Sequence, residues 1–214
     1  MQPEVLFTVF SIPITQSIFF TWIILLILAV ASFVFTRNLK TIPTGTQHIV
    51  ELIVDGIDSL VVKHLGENGR VYTPFIITVA LFVFTANIIG LVPGCESPTQ
   101  DLSVTFTLAL IVLIVAHVNE IKVKGLGAYI KGYFSPYWIM FPLNVIGELS
   151  KVLSHSFRLY GNIFGGAVIL NILYMFVPYV VPIPIMLWFG VFMGAIQAFV
   201  FTLLALTYIQ IRLE

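Results

Sequence analysis

The chain has 214 residues, 59% of them hydrophobic and 9% charged, with ten Lys and Arg balancing ten Asp and Glu. Soluble domains carry about 25% charged residues, so a water-soluble globule is excluded, and so is the basic surface that nucleic acid requires. A single cysteine, Cys95, rules out an internal disulfide framework and a multi-cysteine metal centre.

The opening MQPEVLFTVF lacks the basic start and small-residue cleavage site of a secretory signal, and reads as mature sequence. Apolar runs of about 20 residues then mark membrane spans. The first is 17–35, closed by the basic turn RNLK with Arg37 and Lys40. Residues 46–65 have a different pattern. Ile49, Leu52, Ile53, Ile57, Leu60 and Val61 recur at helical spacing with charges opposite. That predicts an amphipathic helix lying at the interface or against the bundle, with His48, Glu51, Asp55, Asp58 and His64 on its wet side. The second span is 72–92 and ends in the acidic turn PGCESPTQD. The third is 102–118, followed by Lys122, Lys124 and Lys131. Two longer apolar segments, 139–177 and 182–210, meet at the proline-rich corner VPYVVPIP.

The fold class predicted is an all-α membrane protein with one polytopic domain over 1–214. It has five membrane-embedded helices and one amphipathic helix on the cytoplasmic side. Basic residues follow spans one and three, which puts the N-terminus outside and the C-terminus in the cytoplasm. A helix over 139–177 would be about 58 Å long, against a hydrocarbon core of about 30 Å. The last two segments are therefore expected to form a long, strongly tilted hairpin, or to break at Gly165–Gly166.

The first arm of that hairpin carries Asn144, Glu148, Lys151, His155, Arg158 and Asn162, spaced 4, 3, 4, 3 and 4, so all six share a face. Glu148 and Lys151 lie near the cytoplasmic end, where pairing or snorkelling is expected. Arg158 lies near mid-membrane, where an arginine costs at least about 2.5–3.5 kcal/mol and ionisable groups mark ion paths. Glu148 is about 15 Å further along the helix, so the counter-charge is expected from another subunit. Gly161 and Gly165 border the stripe and invite close helix approach. Gly190, Gly194 and Gln197 repeat the theme on the second arm. Asn87 is expected to hydrogen-bond between spans. Asp101 reads either as a helix cap or as a pathway acid. His117 and His155 could clamp a haem, but bundle hydrogen bonding explains them better.

FRLYGN, with GAIQAFVFTLLALTYI downstream, resembles the a subunit of F-type ATP synthases, as do ANIIGLVPG and SPTQDLSVTFTLAL. The resemblance covers the chain from about residue 17. It implies a non-catalytic stator subunit of a bacterial inner membrane, with no bound cofactor or metal. Its partners would be the c-subunit ring, the peripheral-stalk b subunits and the rest of the F1Fo complex, within lipid. Ions would pass through two half-channels, and Arg158 would face the ring carboxylate. Asn162, Gln197, Asp101, Asn171, His155, Glu148 and Lys151 would serve the ion pathway, and Gly161, Gly165, Gly190 and Gly194 the close rotor approach.

The sequence departs from the family pattern in one place. Where relatives carry a glutamate nine residues after the arginine, or an ionisable group seven before the glutamine, this chain has Ala167 and Gly190; at the alternative acidic position it has Asn171. Missing acids leave H⁺ or Na⁺ open and tilt the expectation towards Na⁺, which needs oxygen ligands but no relay acid. The rival class is an autonomous secondary transporter. Such proteins commonly show internal repeats, and none is visible.

Overall fold

The computed structural model describes residues 5–9, 12–37, 40, 45–92, 95–134, 137–177 and 181–213. Parts of the RNLK turn (38–39), the PGCESPTQD turn (93–94) and the proline-rich corner (178–180) lie outside the described residues.

Among the described residues, eight α-helices follow a short antiparallel ribbon of β1 (Val5–Val9) and β2 (Ile12–Thr15). The ribbon is an addition to the predicted all-α architecture. It feeds directly into α1 (Gln16–Thr36), the first span. The amphipathic helix is α2 (Thr46–Leu65), stopped by Gly66 at φ 73°. Its second half packs on the bundle through Ile57, Leu60 and the fully buried Val61, whereas Ile49 and Leu52 of its first half stay exposed. Asp58 fastens it to the next span by accepting the Thr73 hydroxyl at 2.7 Å.

The second span, α3 (Thr73–Ile88), runs into a tight turn at Ile89–Leu91. The third, α4 (Leu102–Lys124), extends well beyond the predicted 118. A short helix that hydropathy alone did not suggest, α5 (Leu126–Tyr133), follows it. The first arm is one helix, α6 (Phe141–Phe176), with no break at Gly165–Gly166. In lipid every backbone group must be satisfied within the helix, so glycine there does not end it. At 36 residues it is about 54 Å long. The second arm is divided instead. It comprises α7 (Pro182–Leu187), a π-helical turn at Trp188–Met193, and α8 (Gly194–Leu213).

Five helical stretches, Gln16–Thr36, Glu67–Leu91, Leu102–Lys124, Trp138–Phe176 and Pro182–Arg212, are long and apolar enough to cross a membrane. The core forms where α3 and α4 pack on α8. Phe82, Val83 and Ala86 of α3, Val112 and Ala116 of α4, and Phe201, Ala205 and Leu206 of α8 are all buried there. Thr105 and Ser156, 3.1 Å apart, link α4 to α6.

Candidate functional site

Arg158 sits midway along α6 and its side chain is exposed. Among the described residues it forms no ion pair. The nearest acid on its stripe is engaged elsewhere: Glu148 is bound by Lys151 at 2.7 Å and by Arg212 at 2.5 Å. One helical turn beyond Arg158, Asn162 donates to Gln197 Oε1 at 2.8 Å and ties α6 to α8. Gln197 is 3% exposed. The guanidinium therefore stands on an outward face just beside a polar link between the two arms.

His155 does not join it. Its ring is buried and packs 3.8 Å from Phe201 and 5.5 Å from Tyr208, centroid to centroid. Neither ring nitrogen finds a partner among the described residues. The ring is turned into the α6–α8 seam, so sharing a helix face with Arg158 does not bring it onto the exposed side where Arg158 stands.

The glycines divide in the same way. A Cβ at Gly161 or Gly165 would meet nothing within 4 Å, so both present a bare face to the outside. Gly190 and Gly194 do not, contrary to the expectation of close rotor approach. A Cβ at Gly190 would fall 2.2 Å from Leu91 Cδ2, and one at Gly194 would fall 3.1 Å from Asn87 Cβ. Both glycines are consumed by packing against α3 and its end, inside this chain.

At the end of the bundle that carries the 95–100 loop lies a cavity of about 360 Å³. Its wall brings together Ala167 and Asn171 of α6 and Gly190 of the π turn, the three positions at which the sequence departs from the family pattern. Asn87 lines it too. As expected, Asn87 bridges spans, donating to the Gly194 carbonyl at 3.0 Å, and it accepts from Thr99 at 2.9 Å. Ser97 contacts Thr99 Oγ1 at 2.7 Å and donates to the Ala86 carbonyl at 2.5 Å. Glu96, next to Ser97, also lines the cavity. The sequence treats Glu96 only as a turn acid; its place on the cavity follows from the anchoring of Ser97, which no sequence pattern displays. Asp101, offered as a pathway acid, does not line this cavity. It caps α4, accepting from Ser103 N at 2.9 Å and Ser103 Oγ at 2.7 Å.

At the opposite end, charges gather into a network that local spacing could not reveal. Arg212 of α8 donates to Glu120 of α4 at 3.0 Å as well as to Glu148 of α6. The Arg212 Cζ lies 5.5 Å from the centre of the Tyr133 ring. Tyr133 in turn contacts His117 Nε2 at 3.0 Å, and its carbonyl accepts from Asn144 at 2.8 Å. His117 is thus held through its Nε2 by Tyr133 and against the Tyr129 ring. On α5, burial first and then the hydrogen bond with Tyr133 push the Tyr129 phenol above its ordinary pKa.

The model of the family described as ATP synthase A chain matches residues 18–210. The chain belongs to this family. It is 42% identical over 209 residues to ATP synthase subunit a of Moorella thermoacetica, covering 98% of this chain and 95% of that one. It is 45% identical over 203 residues to ATP synthase subunit a 1 of Pelobacter propionicus, covering 93% and 88%. With ATP synthase subunit a of Geobacter sulfurreducens the identity is 43% over the same shares. As a member of the ATP synthase A chain family, the chain is a non-catalytic part of the membrane sector of an ATP synthase.

Proposed function

We propose that this chain is the stator half of a rotary ion path, in which Arg158 meets a carboxylate carried by a neighbouring ring of c subunits. The observation that carries the reading is the exposed, acid-free guanidinium midway along an unbroken α6. A carboxylate facing lipid is too costly to remain charged without its ion. Opposite Arg158 it ionises and releases that ion, and the fixed positive charge blocks direct leakage past it. The cavity at the 95–100 end is the outer half-channel, and the stripe towards Glu148 and Lys151 leads to the inner one. The bare Gly161 and Gly165 let the ring approach, and the Asn162–Gln197 bond fixes the face behind it. The N-terminus lies outside and the C-terminus in the cytoplasm of a bacterial inner membrane. Peripheral-stalk b subunits and the rest of the F1Fo complex complete the assembly.

Replacing Arg158 by Ala in the assembled complex is expected to abolish ATP-driven ion transport in membrane vesicles while subunit composition stays unchanged. Pumping that survives this change would overturn the role.

We propose H⁺ as the coupling ion. The argument for Na⁺ rests on the bare positions Ala167, Gly190 and Asn171. Glu96 on the same cavity supplies a carboxylate by another route and removes that argument. Vesicles in sodium-free buffer are expected to pump at full rate; transport that needs added sodium would reject H⁺.

A further inference from the structure

We infer that Glu96 is the proton-carrying carboxylate of the outer half-channel, reaching from a loop a cavity to which no described helical residue contributes an acid. The inference rests on the stator reading above. Among the described residues lining the cavity, Glu96 is the one carboxylate.

Its position is built rather than incidental. Ser97, 1% exposed, is pinned to the Ala86 carbonyl and to Thr99, itself fully buried. Thr99 is held by Asn87, and Asn87 by the Gly194 carbonyl at the start of α8. Four linked hydrogen bonds thus fix the backbone next to Glu96 against both α3 and α8, while Glu96 itself stays exposed. An exposed carboxylate on the cavity wall is placed to exchange protons between the cavity and its surroundings. Asn87, Gln100, Asn171 and Tyr174 supply further polar groups along the wall, so water can be held between the loop and α6.

In the step assigned to it, a Glu96 carboxylate oxygen takes a proton from hydronium at the outer mouth and leaves water. It passes that proton to water inside the cavity and returns to the anion. The proton then neutralises a ring carboxylate. In the reverse direction each transfer runs backwards, and no other reactant is required.

The test uses the intact complex in inverted membrane vesicles, comparing E96Q, E96D and E96Q combined with A167E. E96Q is expected to lower ATP-driven proton pumping at least about tenfold, as loss of a positioned acid–base group does, with the complex fully assembled. E96D should keep most of the rate. A167E, which sets a carboxylate across the same cavity, should recover much of what E96Q loses. E96Q pumping at the unmodified rate would overturn the inference. So would a loss that neither the aspartate nor the relocated glutamate restores, because that would mark a structural role. Arg158→Ala in parallel separates the two readings: its failure to stop transport sinks the stator role, whereas a normal E96Q beside a dead R158A sinks only Glu96.

Discussion

Arg212 stands between two carboxylates, Glu120 at 3.0 Å and Glu148 at 2.5 Å, and the three side chains are 11–15% exposed. Arg212→Ala leaves both largely buried acids without their main partner. Breaking a buried pair costs about 3–5 kcal/mol, and a clear fall in the thermal midpoint of the purified complex is expected. Adding Glu148→Gln should recover part of the loss, because the amide needs no counter-charge. Arg212→Lys keeps the charge but cannot bridge two acids with separate guanidinium nitrogens, so it should fall in between. The sequence made the Glu148–Lys151 pair legible because it spans a single helical turn. Arg212 and Glu120 are 92 residues apart, and only the packing of α4 against α8 brings them together. Glu96 escaped notice for a related reason: its placement depends on what its neighbour Ser97 bonds to.

Glycine spacing on a helix identifies a smooth face but not the body that covers it. On α6, Gly161 borders open space; on the second arm, Gly190 abuts Leu91 within this chain. The two should respond oppositely to the same change. Gly190→Val forces Leu91 aside and is expected to cost about 1–3 kcal/mol, as overpacking does, which thermal unfolding of the detergent-solubilised complex would report. Gly161→Val should leave that midpoint nearly unchanged yet slow ATP-driven pumping, because in the assembly proposed above its added bulk faces the rotor. The two arms read as equivalent in sequence because each carries small residues four apart. They differ in structure because the π turn at Trp188–Met193 brings the second arm against the end of α3.

Across the whole molecule, what lipid demands of a chain was plain from hydropathy. Five helical stretches long and apolar enough to cross a membrane lie where long apolar runs were read, although α4 continues past the expected end at 118. The β ribbon and α5 were less visible, being short and lying beside the spans rather than within them. The unbroken course of α6 has a further consequence. A straight rod turns about 100° per residue, so the angle at which Arg158 leaves the bundle is locked to every contact the helix makes on either side. One alanine inserted between Leu149 and Leu153 would swing the guanidinium a quarter-turn or more away from its bearing relative to Glu148 and α4. Motor activity should vanish although no functional group has been removed. A compensating deletion within the same turn should bring it back, because here direction, as much as charge, is the working part.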